Sequence, residues 1–430
     1  MRKVVVSGIG IVSPFGNGTD IFWQGISKGK TAARLISAFD ASDFPTRFCA
    51  NVPLGDTELD ALIENQKTIK TLSRPGKLAI IAVQEAVKHS GIDPDRVNNF
   101  RFGTSIGAAG LGLTDIDYTK NLVKLVRDSE AGKDDFFSQL WYGVSRKLHP
   151  MTPLKNLSNI PTAQIAIKYK AMGECLTVTT ACTSSSQAIG EAYRKIKYGI
   201  LDAAICGGSD SMTSPFGVSA FSILGVMSKN NDEYLTACRP FDKTRDGFML
   251  GEGSAMFVIE EYEHCIKRGG TIFAEIIGYA STNDAFRLTD EPPDAAGSVM
   301  AMQNALKDAS ISAEDIDYIN AHGTGTKMND KTETYAIKRV FGEHSKSTPV
   351  SSTKSMIGHL IAAAGAIEFA ACVLALQYKL IPPTINYRFK DEECNLDYVP
   401  NTAREVNIRT VLSNSFGFGG QNSCLILKSV

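Results

Sequence analysis

The 430-residue chain has no C-x-x-C pair, no excess of either charge, no unbroken apolar run of membrane-spanning length and no low-complexity linker. Its cysteines (Cys49, Cys175, Cys182, Cys206, Cys238, Cys265, Cys372, Cys394 and Cys424) are scattered and odd in number. That pattern argues for reduced thiols and against a disulfide framework or a zinc site, so no metal is expected. With 45 basic and 46 acidic residues the formal charge is −1. No global field invites nucleic acid or an anionic membrane, and an anionic partner must use a local patch. The longest apolar run, Leu360 to Leu376, is interrupted by Glu368 and falls short of the ~20 residues a span needs, so it reads as a buried helix. The chain runs from Met1 straight into a strand with no signal-peptide hydrophobic region or cleavage site, and a cytoplasmic location is expected. Gly8-x-Gly10 after that strand tempts towards a dinucleotide fingerprint, but the third glycine position is Ser13, followed by Pro14, and the required turn into a helix is missing.

What is present is an ordinary globular composition, 43% hydrophobic and 21% charged, in a chain long enough for more than one domain. Strand patterns read at Val4 to Ile9, Arg101 to Ile106, Leu176 to Thr180, Asp202 to Gly208 and Ala255 to Glu260. The second half repeats the plan at Ile272 to Tyr279, Ile316 to Asn320, Pro349 to Ser352, Val411 to Ser415 and Cys424 to Leu427. Helical patterns lie between them at Lys77 to His89, Ser298 to Ala309, Asp330 to Phe341 and Ile361 to Tyr378. Alternating β and α patterns predict an α/β fold with mostly parallel, helix-covered sheets. The two matching halves, 1–262 and 263–430, predict a duplicated architecture with its site where they meet. Gly107-Ala-Ala-Gly110 suits a close backbone approach. Asp115 to Pro150, with the aromatic island Phe136, Phe137, Trp141 and Tyr142, reads as a helical excursion from the core.

The stretch from Leu176 to Ile196 places Cys182 where a strand turns into a helix. Helix-start N–H groups and the positive end of the dipole stabilise a thiolate, which predicts a thiol pKa lowered towards neutrality. A lone cysteine is by itself a buried structural residue; the polar signatures that close later strands change that reading. They are His322-Gly-Thr324-Gly-Thr326, Lys354 with His359, and Asn414-Ser-Phe-Gly417-Phe418-Gly419-Gly420. In α/β sheets such strand ends converge on one crevice. Taken singly, the histidines are satisfied core residues and Phe418 is packing; together they make one candidate pocket.

Thr-Ala-Cys182-Thr-Ser, Arg239-Pro-Phe-Asp with Arg245-Asp-Gly-Phe, Asn320-Ala-His322-Gly-Thr, Ser352-Thr-Lys354-Ser-Met with Gly-His359, and Asn414 to Gly420 resemble the β-ketoacyl-acyl-carrier-protein synthases of the type II class, in the thiolase superfamily. The resemblance implies a thiolase-like duplicated five-layer αβαβα fold, a dimer, and decarboxylative Claisen condensation of an enzyme-bound acyl group with malonyl-acyl-carrier protein. It implies no cofactor beyond the phosphopantetheine arm of the carrier. By motif, Cys182 is the nucleophile, His322 and His359 hold the malonyl thioester oxygen, and the N–H groups of Cys182 and Phe418 form an oxyanion hole. Lys354, paired with Glu368, orders the site; Thr324 and Thr326 contact the pantetheine arm; Phe418, between Gly417 and Gly419, gates the cysteine; Ile106 guards the acyl tunnel. The basic cluster Lys67, Lys70 and Arg74 is where acyl carrier protein is expected to dock.

Two features depart from a housekeeping fatty-acid enzyme. The excursion from Asp115 to Pro150 is longer than its family counterpart, and Leu154-Lys155 stands where the family has two aromatics, implying a polar or shortened tunnel or a different partner chain. Thr326 to Asp330, Gly342 to His344 with Thr348 to Ser352, Ala371 to Leu376 and Glu393 to Pro400 are closer to the catalytic ketosynthase of type II polyketide synthases, which pairs with a chain-length factor. Asn414 to Gly420 is a fatty-acid-type signature. The expectation is the polyketide ketosynthase, with a homodimeric fatty-acid elongation synthase as the alternative. A non-catalytic chain-length factor is the third reading, disfavoured because such factors lack the cysteine.

Overall fold

A computed structural model describes residues 1–109, 123–124 and 150–430. The aromatic island and nearly all of the excursion around it lie outside the described residues. Ten strands carry the fold, each over one of the ten sequence patterns. In the first half they are β1 (Val4–Ser13), β2 (Phe102–Ala108), β3 (Cys175–Val178), β4 (Ala203–Ser211) and β5 (Glu252–Glu261). In the second half they are β6 (Ala274–Asn283), β7 (Tyr318–Asn320), β8 (Val350–Ser351), β9 (Thr410–Gly417) and β10 (Gln421–Lys428). The principal helices are α1 (Arg74–Ser90), α2 (Ile160–Lys168), α3 (Ser184–Lys197), α4 (Ala296–Ala309), α5 (Lys327–Phe341) and α6 (Ala364–Tyr378).

The duplication is visible in the pairing. The first sheet runs β1-β5-β4-β2-β3 and the second runs β6-β10-β9-β7-β8, the same order shifted by one half. Directions repeat as well: β2 is parallel to β3 and β4, as β7 is to β8 and β9, while β5 and β10 run antiparallel to both their neighbours. Val4 to Val6 pairs antiparallel with Ala274 to Ile276, joining the sheets edge to edge. The sheets are therefore mixed and not mostly parallel. The turn at Phe418-Gly-Gly420 is too short for the crossover a parallel pair needs, so β9 and β10 must form a hairpin.

Side-chain alternation builds the layers. Ala204 and Cys206 face one core while Ala203 and Ile205 face another. Helix α1 and part of α2 cover the outer face of the first sheet, α4 and α5 cover the outer face of the second, and α3 and α6 fill the space between the sheets. This is the five-layer αβαβα arrangement. Its middle position explains α6, in which every residue from Ala364 to Leu376 is buried: a helix with neighbours on all sides has no polar face to show. With its leading turn it spans 18 residues, apolar enough to cross a membrane, and 89% of it lies inside the fold. Gly8 and Gly10 serve packing, since a Cβ there would meet the Ala86 and Ala82 carbonyls of α1 at 2.2 and 1.9 Å.

Candidate active site

The two central helices begin in matching turns. Ala181–Thr183 and Ile361–Ala363 are each one turn of 3-10 helix, entered through a left-handed residue, Ala181 at φ 51° and Ile361 at φ 46°. The Ala366 N–H donates to Ser185 Oγ at 2.9 Å, and a Cβ on Gly365 would meet Ser186 at 2.7 Å, so the helix starts touch. Cys182 from the first half thereby comes to face His359, which precedes the twin turn. The Sγ of Cys182 and one ring nitrogen each of His322 and His359 lie within 4.8 Å of one another, all buried.

The two turns differ in what their backbone N–H groups meet. The Ala362 N–H, the counterpart of Cys182 N–H, donates to the buried Asp210 carboxylate at 2.9 Å. The Cys182 N–H has no such acceptor among the described residues and lies beside Gly417, where a Cβ would come within 3.1 Å of it. Phe418 N–H points at the Cys182 sulfur. An open donor pair therefore stands at the thiol.

Lys354 sits 1% exposed and uses all three ammonium hydrogens: on His322 Nδ1 at 3.2 Å, on the His322 carbonyl at 2.6 Å and on Glu368. An ammonium has no lone pair, so His322 Nδ1 must accept. His359 Nδ1 accepts from the Ile361 N–H at 3.1 Å. Both imidazoles are thus set with hydrogen on Nε2. Burial first, and then Lys354, hold both histidines well below their ordinary pKa, so they are neutral donors. The same three side chains could be spaced around a metal ion, but an Nε2 that carries hydrogen offers a cation no lone pair.

The thiol departs from the sequence expectation. Burial pushes Cys182 up to about 12, against the pull of Lys354 and the Phe418 N–H; the cost of a desolvated thiolate outweighs the donors at the helix start. The resting site is a neutral thiol facing two neutral imidazoles.

Three acidic residues that the sequence reading did not single out hold this geometry. Glu333 accepts from His322 N–H at 2.8 Å and Gly323 N–H at 2.7 Å. Asp330, one helical turn earlier on α5, accepts from Gly325 N–H at 3.1 Å and Phe241 N–H at 2.7 Å. The spacing of three on a helix with buried Ala336, Ile337 and Phe341 was the available signal. The third is Asp210, at the end of β4. Burial raises Asp210, Glu333 and Glu368 each to about 7.

Cys182, His322, His359, Thr324, Thr326, Gly417 and Phe418 line one cavity of about 460 Å³ between the halves. Thr324 and Thr326 share a hydroxyl contact of 3.0 Å. Gly419 N–H donates to the Leu288 carbonyl at 2.7 Å, tying the Phe418 turn to the cavity mouth. Ile106 lines a second, narrower cavity with Lys155. Lys67 and Lys70 are exposed. Arg74 instead turns inward to Glu252 at 2.7 Å and Asp56 at 3.0 Å.

The doubled fold with its cleft between the halves is that of the thiolase-like condensing enzymes. Residues 1–264 match the family described as Beta-ketoacyl synthase, N-terminal domain, and residues 273–388 its C-terminal domain, so the chain belongs to the β-ketoacyl synthase family of acyltransferases. It is 42% identical over 429 residues to the 3-oxoacyl-[acyl-carrier-protein] synthase 2 of Coxiella burnetii, covering 100% of this chain and 99% of that protein. It is 41% identical over 434 residues to the tetracenomycin polyketide synthase ketoacyl synthase alpha subunit of Streptomyces glaucescens, covering 99% and 97%. A type II polyketide ketosynthase solved with its acyl carrier protein superposes with a TM-score of 0.88 at 31% identity, covering 100% of both chains. The ishigamide ketosynthase/chain length factor superposes at 0.87 and 32%, covering 100% and 99%.

Proposed function

We propose that the chain catalyses decarboxylative condensation of an acyl group held on Cys182 with malonyl-acyl-carrier protein. The observation that carries the reading is the convergence of one thiol and two Nε2–H donors at a shared point. In the first half-reaction the Cys182 sulfur attacks the acyl thioester carbonyl. The carbon–sulfur bond to the carrier arm breaks, and the thiol proton leaves with the carrier's sulfur. The N–H groups of Cys182 and Phe418 hold the oxyanion. In the second, the malonyl carbon–carbon bond breaks, carbon dioxide departs, and its electron pair passes to the thioester enolate held by His322 and His359. Charge appears on that oxygen only as the bond breaks, so fixed neutral donors favour the transition state over the bound substrate. The enolate carbon then attacks the acyl group, and Cys182 leaves and takes up a proton. Lys354 and Glu368 set the His322 tautomer.

The substrates arrive on the phosphopantetheine arm of acyl carrier protein, with Thr324 and Thr326 along the arm and Lys67 and Lys70 on the docking face; the reading calls for no other cofactor. The nine free cysteines favour a reducing compartment, in line with a cytoplasmic location. Relatives named for fatty-acid and for polyketide synthesis stand at 42% and 41% identity, which supports both pathways equally. Intact-mass analysis of acyl and malonyl carrier proteins incubated with the chain separates them. One two-carbon extension by the chain alone makes it a homodimeric elongation synthase. Successive extensions that require a chain-length-factor-like partner make it a polyketide ketosynthase.

A further inference from the structure

His359 precedes a turn that cannot brace itself. Both helix-start turns close on the same backbone bond, Thr183 N–H to the Thr180 carbonyl at 3.2 Å in the first and Ala363 N–H to the Leu360 carbonyl at 3.0 Å in the second. The first adds hydroxyl braces. Thr183 Oγ1 donates to the Thr180 carbonyl at 2.8 Å, and Ser184 Oγ donates to the Ala181 carbonyl at 2.7 Å while accepting from Thr180 N–H at 2.9 Å. In the second turn the matching positions are Ala363 and Ala364, which offer no hydroxyl. Yet this turn holds the harder conformation, because its left-handed residue is the β-branched Ile361, at φ 46°. A strained residue persists only where its surroundings over-determine it.

The brace comes from the other half of the chain. Asp210, at the end of β4 and 1% exposed, accepts from Ala362 N–H at 2.9 Å with one carboxylate oxygen and from Ser211 N–H at 2.7 Å with the other. The preceding N–H, on Ile361, is the donor to His359 Nδ1 at 3.1 Å. His359 and Ile361 line the main cavity, whereas Asp210 lies outside its lining. A buried acid outside the cavity thus fixes the backbone that fixes an imidazole inside it.

We propose that Asp210 is a positioning residue for decarboxylation: its bond to Ala362 holds the strained turn, and the turn keeps Ile361 N–H on His359 Nδ1, so that the imidazole presents Nε2–H to the forming enolate. The inference rests on the proposed roles of Cys182 and His359. Without the acceptor, Ala362 N–H is left buried and unpaired, a cost escaped when Ile361 relaxes out of the left-handed region. The Ile361 N–H then leaves the ring, and His359 is free to place its hydrogen on Nδ1.

The test compares Asp210→Asn with Asp210→Leu in the full-length chain. Both remove the charge that acts on the Cys182 thiol, but only asparagine keeps an oxygen for Ala362 N–H. Carbon dioxide loss from malonyl carrier should fall roughly 10-fold or more in Asp210→Leu, towards the ~100-fold cost of one lost donor, and far less in Asp210→Asn. Acyl transfer to Cys182 should differ little between the two variants. In nitrogen NMR of histidine-labelled protein, the His359 ring signals, assigned by their loss in His359→Gln, should keep the Nε2–H pattern in the wild type and Asp210→Asn. They should gain the Nδ1–H pattern in Asp210→Leu. If Asp210→Leu fails to fold, Asp210→Ser, whose oxygen stops one atom short of Ala362, takes its place with the same expected loss. Equal decarboxylation by the variants with and without the acceptor, or an unchanged His359 pattern in the variant without it, would overturn the positioning role and leave the proposed function standing. No decarboxylation by the wild type would overturn both.

Discussion

Replacing Lys354 with methionine keeps an unbranched side chain one atom shorter and removes its three ammonium hydrogens. The fold then loses the donor to His322 Nδ1 at 3.2 Å, the donor to the His322 carbonyl at 2.6 Å and the partner of Glu368. Breaking a buried pair by removing one member costs ~3–5 kcal/mol. The lower end applies, because Glu368 already stands near 7 through burial and, with Lys354 gone, escapes by taking a proton. Its raised pKa makes the folded state bind more protons than the unfolded one. The stability of Lys354→Met should therefore fall as pH rises from about 4.5, and its deficit against the wild type should be smaller at pH 5 than at pH 8. The chemical effect should be selective. His322 becomes free to place its hydrogen on Nδ1, and the enolate loses one fixed donor, worth roughly 100- to 1,000-fold in rate. Acylation of Cys182 loses only the pull of Lys354 on the thiol and should fall far less than decarboxylation. Urea unfolding at two pH values reads the first effect; mass analysis of carbon dioxide loss from malonyl carrier, beside acyl transfer to the protein, reads the second. Decarboxylation within a few-fold of wild type in a folded Lys354→Met protein would refute the tautomer argument.

Three further expectations follow from the same geometry. Both site histidines are held well below their ordinary value by burial and Lys354, so they stay neutral as pH drops through 6.5. An NMR titration of the two imidazoles should show no protonation there, and an imidazole that titrates near 6.5 would contradict it. Glu260, fully buried between Ser7, His264 and Arg268, is lowered from 4.5 to about 2, chiefly by Arg268 overcoming burial. It should contribute about 3 kcal/mol at neutral pH. That contribution is lost as pH falls from about 4.5 to 2, so in urea titrations the gap between wild type and Glu260→Gln should close over that range. Lys67→Glu with Lys70→Glu should raise KM for carrier-bound substrate without altering the reaction of Cys182 with a small thiol reagent; an unchanged KM would remove both lysines from the docking face.

All ten strands were legible because buried strands in this chain are apolar runs bounded by glycine and polar residues, as at Ala255 to Glu260. Their directions were not, because direction depends on which strands pair across connections such as the Phe418 turn. Cys182, His322, Lys354 and His359 stood out through the short polar motifs around them. Asp210, Asp330 and Glu333 did not, since an isolated acid on a strand end or helix reads as surface until its burial is known. Depth of burial also reversed the expected direction of the Cys182 pKa. It likewise hid the fate of Arg74, whose partner Glu252 is 178 residues away.

The most direct test of condensation at Cys182 is intact-mass analysis of the chain and its Cys182→Ala variant after exposure to acyl carrier thioester and then to malonyl carrier. The account predicts an acyl adduct on the wild type that maps to Cys182. On adding malonyl carrier, this adduct should disappear as a product two carbons longer forms on the carrier, and the alanine variant should show neither. Condensation by Cys182→Ala, or an adduct that maps to another cysteine, would contradict it.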